Sequence, residues 1–154
     1  MNINKIHADL ELDESPRRRA RELVLQGLYA LEIGEAELNF VEADILDDPV
    51  LSKKNQKFAS QFFELVRDKR EWADKIITEL SANWDIDRLA AIDHIILKMA
   101  LVELNFMPDS PVRVCINEAI ELGKKYSTAG SASFINGLLD SYATRIEKEG
   151  ETAE

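Results

Sequence analysis

Ser15-Pro16-Arg17-Arg18-Arg19-Ala20-Arg21-Glu22 runs directly into Leu23-Val24-Leu25-Gln26-Gly27-Leu28-Tyr29-Ala30-Leu31, and the reading of this stretch decides the fold. Serine is a favoured N-cap and proline is preorganised for the first helical position, so a helix is predicted to start here and run over about 16–33. Projected at the helical period, Ala20, Leu23, Val24, Gly27, Leu28 and Leu31 form one apolar stripe that should face a core. Arg18, Glu22, Leu25 and Tyr29 fall on the opposite side, with Arg21 on its flank. The side expected in water therefore carries guanidiniums in its first turns and an aromatic ring further along.

That placement breaks a local preference. Four of the five residues 17–21 are arginine, in the first turns of a helix, where the dipole disfavours each cation by about 0.3–1 kcal/mol. Violations of local preference tend to mark function. One reading is a phosphate-binding patch in which Arg17, Arg18 and Arg21 offer donor forks and Tyr29 offers a stacking surface. The other is a basic helix start that pairs with acidic neighbours. Composition alone leaves both open.

The 154 residues are enough for one domain or two small subdomains with a real core. Hydrophobic residues make up 45% and charged residues 31%, the balance of a globular protein in water. The most apolar run, Ile92 to Phe106, is broken by Lys98 and Glu103 and is too short to span a bilayer. The N-terminal residues show no apolar segment followed by a cleavage site, and the single cysteine, Cys115, fits a reducing cytoplasm. Net charge is −10; since residues 17–21 hold four arginines, everything else carries −14. Any contact with RNA must then be local, and the acidic remainder suits a basic protein partner.

Along the chain the apolar spacing is helical throughout. Residues 1–14, acidic at Asp9, Glu11, Asp13 and Glu14, read as a flexible arm. Gly34 is placed to close the first helix. A weaker helical pattern (Leu38, Val41, Ile45) stops at Asp47-Asp48-Pro49. From Ser52 to Trp84 the pattern gives one bent helix or two, divided at Arg67-Asp68-Lys69-Arg70-Glu71. Asn83-Trp84-Asp85-Ile86-Asp87 reads as a turn and cap. Residues 88–106 are apolar on nearly every side, as in a buried central helix. Helices over about 111–126 and 131–147 follow, separated by the small-residue turn 127–133, and the chain frays from Gly150. The expectation is an all-α fold of about seven helices in two packed subdomains, residues 15–84 and 85–148, with a frayed tail at 149–154.

Signals of catalysis are missing. His7 and His94 are far apart in sequence and converge with no cysteine at a metal-ligand spacing. Cys115 sits on a core stripe, where it acts as a small hydrophobe. No glycine-rich phosphate loop occurs, and the pairs Asp85/Asp87 and Asp47/Asp48 lie at turns, where capping explains them. No enzyme, cofactor or metal is expected.

Arg17-Arg18-Arg19-Ala20-Arg21-Glu22 followed by Gln26-Gly27-Leu28-Tyr29 resembles the opening of the NusB family of transcription antitermination factors. Val114-Cys115-Ile116-Asn117-Glu118-Ala119-Ile120-Glu121-Leu122-Gly123-Lys124-Lys125-Tyr126 and Ser133-Phe134-Ile135-Asn136-Gly137-Leu138-Leu139-Asp140 are similar to its C-terminal signatures. The resemblance covers about residues 16–147 and is weakest over 35–57. It implies a NusB-like all-helical fold that binds single-stranded boxA-type RNA together with NusE, a small-subunit ribosomal protein. Such heterodimers act within the RNA polymerase antitermination complex to promote complete transcription of ribosomal RNA operons. Carried over by residue, the RNA patch includes Arg18, Arg21 and Tyr29, with Phe134 alongside; Arg17 and Lys124 add positive charge and complete the expected RNA-binding set. The acidic positions Asp87 and Asp93 would meet the protein partner.

One departure stands out. The family usually carries acids and a lysine or histidine in the turn before the phenylalanine, whereas Thr128-Ala129-Gly130-Ser131-Ala132-Ser133 is uncharged. Fewer acids favour phosphate contact and the missing base opposes it. Two other classes stay in play: a helical protein–protein adaptor without RNA specificity, and a NusB-like RNA-binding module related to ribosomal RNA methyltransferases. The chain ends at Glu154 without a cofactor-binding domain, which sets the expectation against the latter. The apolar faces leave a homodimer and a monomer equally open.

Overall fold

The computed structural model describes residues 16–81 and 89–153. Among them are seven α-helices, one π-helical turn and no strand, the all-helical fold expected. The chain divides into two compact units, Met1–Phe63 and Glu64–Glu154.

The first unit is built on α1 (Pro16–Glu32), α2 (Leu38–Val41), a π-helical turn (Glu42–Leu46) and the first part of α3 (Lys53–Asp68). Pro16 occupies the first helical position, as the sequence predicts. Ala20, Leu23, Val24 and Leu28 are buried along the expected stripe, with Val41, Leu46, Leu51, Phe58, Phe62 and Phe63 from the following elements. Gly27 lets α1 approach its neighbours: a Cβ there would lie 3.0 Å from Val41 Cγ1 and 3.3 Å from Phe63 Cε2. Ser52 caps α3 by accepting the Asn55 amide at 3.2 Å.

The opposite side of α1 is more covered than its pattern predicts. Arg21, Glu22 and Leu25 are buried, and only Gln26, Tyr29 and Glu32 of this side are exposed. A helical projection reports the polarity of one helix and is blind to what another places against it. Here Phe58 of α3 lies against the arginine flank.

Gly34 does not take the left-handed closing position of α1. The Ala36 amide donates to the Ala30 carbonyl at 2.9 Å, the six-to-one closure of a Schellman motif. The residue in the left-handed region is Glu35, with φ of 54°. A non-glycine residue there is strained by about 1–2 kcal/mol, against about 0.5–1 kcal/mol of chain entropy that glycine loses on folding. Glu35→Gly is therefore expected to stabilise the first unit by about 0.5–1 kcal/mol in urea unfolding. A loss of stability would contradict this reading of the turn.

The second unit holds the end of α3, then α4 (Arg70–Leu80), α5 (Ala91–Phe106), α6 (Val112–Tyr126) and α7 (Ala129–Ala153). Over Lys53–Leu80 the chain forms two helices. They hinge at Lys69 (φ −98°, ψ 13°), whose amide and carbonyl still bond to Leu65 and Ala73. α5 is the central helix, buried without interruption from Ile95 to Glu103. A Cβ on Gly123 of α6 would meet Ile135 Cδ1 of α7 at 3.1 Å.

Trp72 of α4 packs its edge against Phe106 and Tyr142, with ring centroids 5.0 and 6.4 Å apart. Arg145 bonds Glu79 at 2.7 Å and His94 bonds Asp74 at 2.7 Å. These contacts fasten α4 to the C-terminal helices. The boundary between the two compact units falls between Phe63 and Glu64, within α3. α7 starts at Ala129 and continues through Gly150, earlier and later than expected. The expected arm over 1–14, the Ser15 cap and the turn Asn83–Asp87 lie outside the described residues.

Candidate nucleic-acid interface

The first turns of α1 sort their arginines into different tasks. Arg17 lays its guanidinium on the Phe58 ring, 4.0 Å from the centroid, and its Nε donates to Asn55 Oδ1 at 3.1 Å. Arg21 lies 5.4 Å from the same centroid. Arg18 is half-buried. Arg19, by contrast, donates from Nη2 to Asp48 Oδ2 at 3.0 Å and reaches Glu22 at 3.7 Å. Asp48 also accepts the Val50 amide at 2.8 Å, and its carbonyl accepts from Gln56 Nε2 at 3.0 Å. This knot fixes the 47–51 turn against α1 and α3. Arg19 is thus a structural arginine.

The Val50 amide, and then the Arg19 guanidinium, hold the Asp48 carboxyl below the ordinary carboxylate range, against the opposing effect of burial. A folded pKa below the unfolded value means that the carboxylate stabilises fully above about pH 4 and ceases to do so as pH falls through the folded pKa. Asp48→Asn should lower the melting temperature at pH 7 and flatten its decline below about pH 4. Parallel pH profiles for the variant and the parent would contradict this.

Tyr29 is 41% exposed, and its position, about 18 Å along the helix axis from Arg17, leaves a ring available to stack on a base. The six residues assigned to RNA do not all share a unit: Arg17, Arg18, Arg21 and Tyr29 belong to the first, and Lys124 and Phe134 to the second. In the second unit Phe134 is half-buried and lines a cavity of about 400 Å³ with Leu80, Gly130, Ser133, Gly137, Leu138 and Ser141. Lys124 is exposed, 3.5 Å from Glu121, in the last turn of α6, where the helix dipole favours cations.

Asp93, assigned from the resemblance to a partner contact, is only 5% exposed. Its Oδ2 accepts from the Ser131 hydroxyl at 2.6 Å. Ser131 in turn accepts from Ser127 and Thr128, each at 3.0 Å, while Thr128 Oγ1 accepts the Ser131 amide and so caps α7. Asp93 therefore anchors the turn that precedes Phe134. Its Oδ1 is buried without a hydrogen-bond partner among the described residues. The other partner residue, Asp87, lies outside the described residues.

Phe58, Asn55 and Asp48 are the site-shaping residues that sequence reasoning missed. Phe58 reads as one more core position in a helical pattern, and nothing in the spacing of residues 17 and 58 announces their contact. Among the described residues, no group of three His, Cys, Asp or Glu side chains is arranged to hold a metal ion. No described helix is long and apolar enough to cross a membrane. Cys115 is buried, as its stripe predicts.

Comparison with known proteins places this chain among similar sequences. The NusB family profile matches residues 18–144. The chain is 40% identical over 138 residues to the transcription antitermination protein NusB of Syntrophus aciditrophicus, covering 90% of this chain and 86% of that protein. It is 41% identical over 143 residues to the protein of the same name from Thermodesulfovibrio yellowstonii, covering 86% and 92%. Among solved structures it is similar to T. maritima NusB, with a TM-score of 0.76, 33% identity and coverage of 84% and 92%. A more distant structure, of antitermination factors NusB and NusE in complex with double-stranded RNA, shares the fold at a TM-score of 0.73 and 21% identity.

Proposed function

The chain belongs to the NusB family of transcription antitermination proteins, which are not enzymes, and we propose that it acts by holding single-stranded boxA-type RNA jointly with a NusE-type ribosomal protein. The observation that carries the reading is Arg17. Its guanidinium face is on Phe58 and its Nε is on Asn55, so among the described residues the Nη edge is the part left to bind a phosphate. Tyr29, exposed on the same helix, supplies the stacking surface that single-stranded RNA recognition uses. Arg18, Arg21, Lys124 and Phe134 complete the proposed RNA-binding set.

The protein partner is basic in this reading, because the chain carries −10 overall and residues 32–52 hold seven carboxylates and no lysine or arginine. Asp93, only 5% exposed and bonded to Ser131, would bear on that partner through the turn it anchors. The site of action is the cytoplasm, within a transcribing RNA polymerase complex. A homodimer would form through apolar surface such as Val112 and Val114, exposed on the first turn of α6.

Fluorescence anisotropy with a boxA-like single-stranded RNA and a scrambled control tests the reading, each titrated with and without the ribosomal partner at two protein concentrations. Sequence-dependent binding that the partner strengthens is the expected result. Binding that ignores both sequence and partner would put the protein–protein adaptor ahead.

A further inference from the structure

We propose that Phe58 and Asn55 of α3 are positioning residues that set the arginine face of α1 before any RNA arrives. The inference rests on the RNA-binding reading above and adds to it the residues that preorganise the site.

Three observations support it. Phe58 is buried, and two guanidiniums share its ring, Arg17 at 4.0 Å and Arg21 at 5.4 Å from the centroid. Asn55 takes the Nε edge of Arg17 at 3.1 Å. The platform itself is held: Phe62 tilts against Phe58 with centroids 5.7 Å apart, and the backbone N–H of Asn55 donates to Ser52 Oγ at the start of α3. Arginines four residues apart on a helix repel each other, and stacking both on one ring offsets that repulsion.

The geometry divides Arg17 by surface. One planar face of the guanidinium is covered by Phe58, Nε is bonded, and the two Nη nitrogens form an edge that matches two oxygens of a phosphate. A flexible arginine must give up rotamer freedom to bind an anion, whereas one already stacked and bonded gives up less. Neither Phe58 nor Asn55 needs to touch RNA. Each acts through the arginine it holds.

The test is a double-mutant cycle on the full chain, read by RNA anisotropy. Phe58→Leu is expected to weaken binding about three- to tenfold, the range of a partly buried cation–π contact. In an Arg17→Ala/Arg21→Ala background the same change should weaken it no further. Phe58→Tyr, which keeps the ring, should bind as the parent does. A residue that merely packs would lower affinity equally in both backgrounds, and that result would overturn the inference.

If Phe58→Leu does not fold, Asn55→Ala carries the same cycle against Arg17→Ala. NMR of the RNA-free protein gives an independent readout. The Arg17 Nε–H should appear as a protected, slowly exchanging resonance and be lost to solvent exchange in Asn55→Ala. A rapidly exchanging Arg17 in the parent would also overturn the inference. A protected Arg17 in a protein that fails to bind RNA would defeat the RNA reading and leave the positioning intact.

Discussion

Arg17→Ala is expected to weaken single-stranded RNA binding about 10- to 100-fold, while Arg19→Ala, two residues away, leaves the affinity of the folded protein nearly unchanged. A charge-assisted hydrogen bond is worth about 1.5–3 kcal/mol, and each 1.4 kcal/mol is a factor of ten. Arg17 is already held by Phe58 and Asn55, and in the proposed reading its Nη edge takes the phosphate. Arg19 is engaged by Asp48 at 3.0 Å and Glu22 at 3.7 Å, and Glu22 is only 3% exposed. Removing Arg19 takes a cation from two carboxylates, and the effect should appear as reduced stability, about 1–3 kcal/mol. The salt dependence should separate the two variants as well. For each phosphate that is no longer neutralised, the slope of log K against log salt falls by about 0.7 on a single strand. Arg17→Ala should show that fall and Arg19→Ala should not. Equal reductions of affinity in the two variants would contradict the division of labour among the arginines.

Gly27→Val is expected to cost about 2–4 kcal/mol of stability and to leave the first unit partly unfolded at ambient temperature. Even a single Cβ at residue 27 would sit 3.0 Å from Val41 Cγ1 and 3.3 Å from Phe63 Cε2. Neither neighbour can give way easily, since both are fully buried, and valine adds two methyl groups to the crowding. Gly27→Ala should be milder, because alanine gains about 1 kcal/mol of helix propensity over glycine. Urea unfolding followed by circular dichroism reads both. A neutral valine variant would mean that α1 does not approach Val41 and Phe63 as closely as described.

How much of this is legible in the chain depends on the range of the interaction. The buried stripe of α1, the all-round burial of α5 and the exposed ring of Tyr29 follow from helical period alone, because burial of a face is written every three or four residues. Arg21 and Leu25 project towards water in that pattern and are buried in the fold. What covers a polar flank comes from elsewhere in the chain, as Phe58 does for Arg21. The family resemblance makes Asp93 a surface acid; its bond to Ser131 joins residues 38 positions apart, which no local pattern encodes. The close of α1 shows the same limit at short range. Gly34 is the residue composition favours, yet the bond from Ala36 to Ala30 puts Glu35 in the left-handed position. The hinge at Lys69 is legible as a polar interval. The packing of Trp72 is not, because it meets Phe106 and Tyr142 only in three dimensions.

The central claim is that this protein suppresses termination through the arginine face of α1. Transcription by purified RNA polymerase across a template with a boxA-like leader and a downstream terminator tests it most directly, with the ribosomal partner present. The account predicts that the parent protein raises read-through of the terminator and that a scrambled leader abolishes the gain. Arg17→Ala should remove most of it, while Arg19→Ala, at a temperature where it stays folded, should retain it. Read-through that is the same with and without the protein, or the same for the parent and Arg17→Ala, would contradict it.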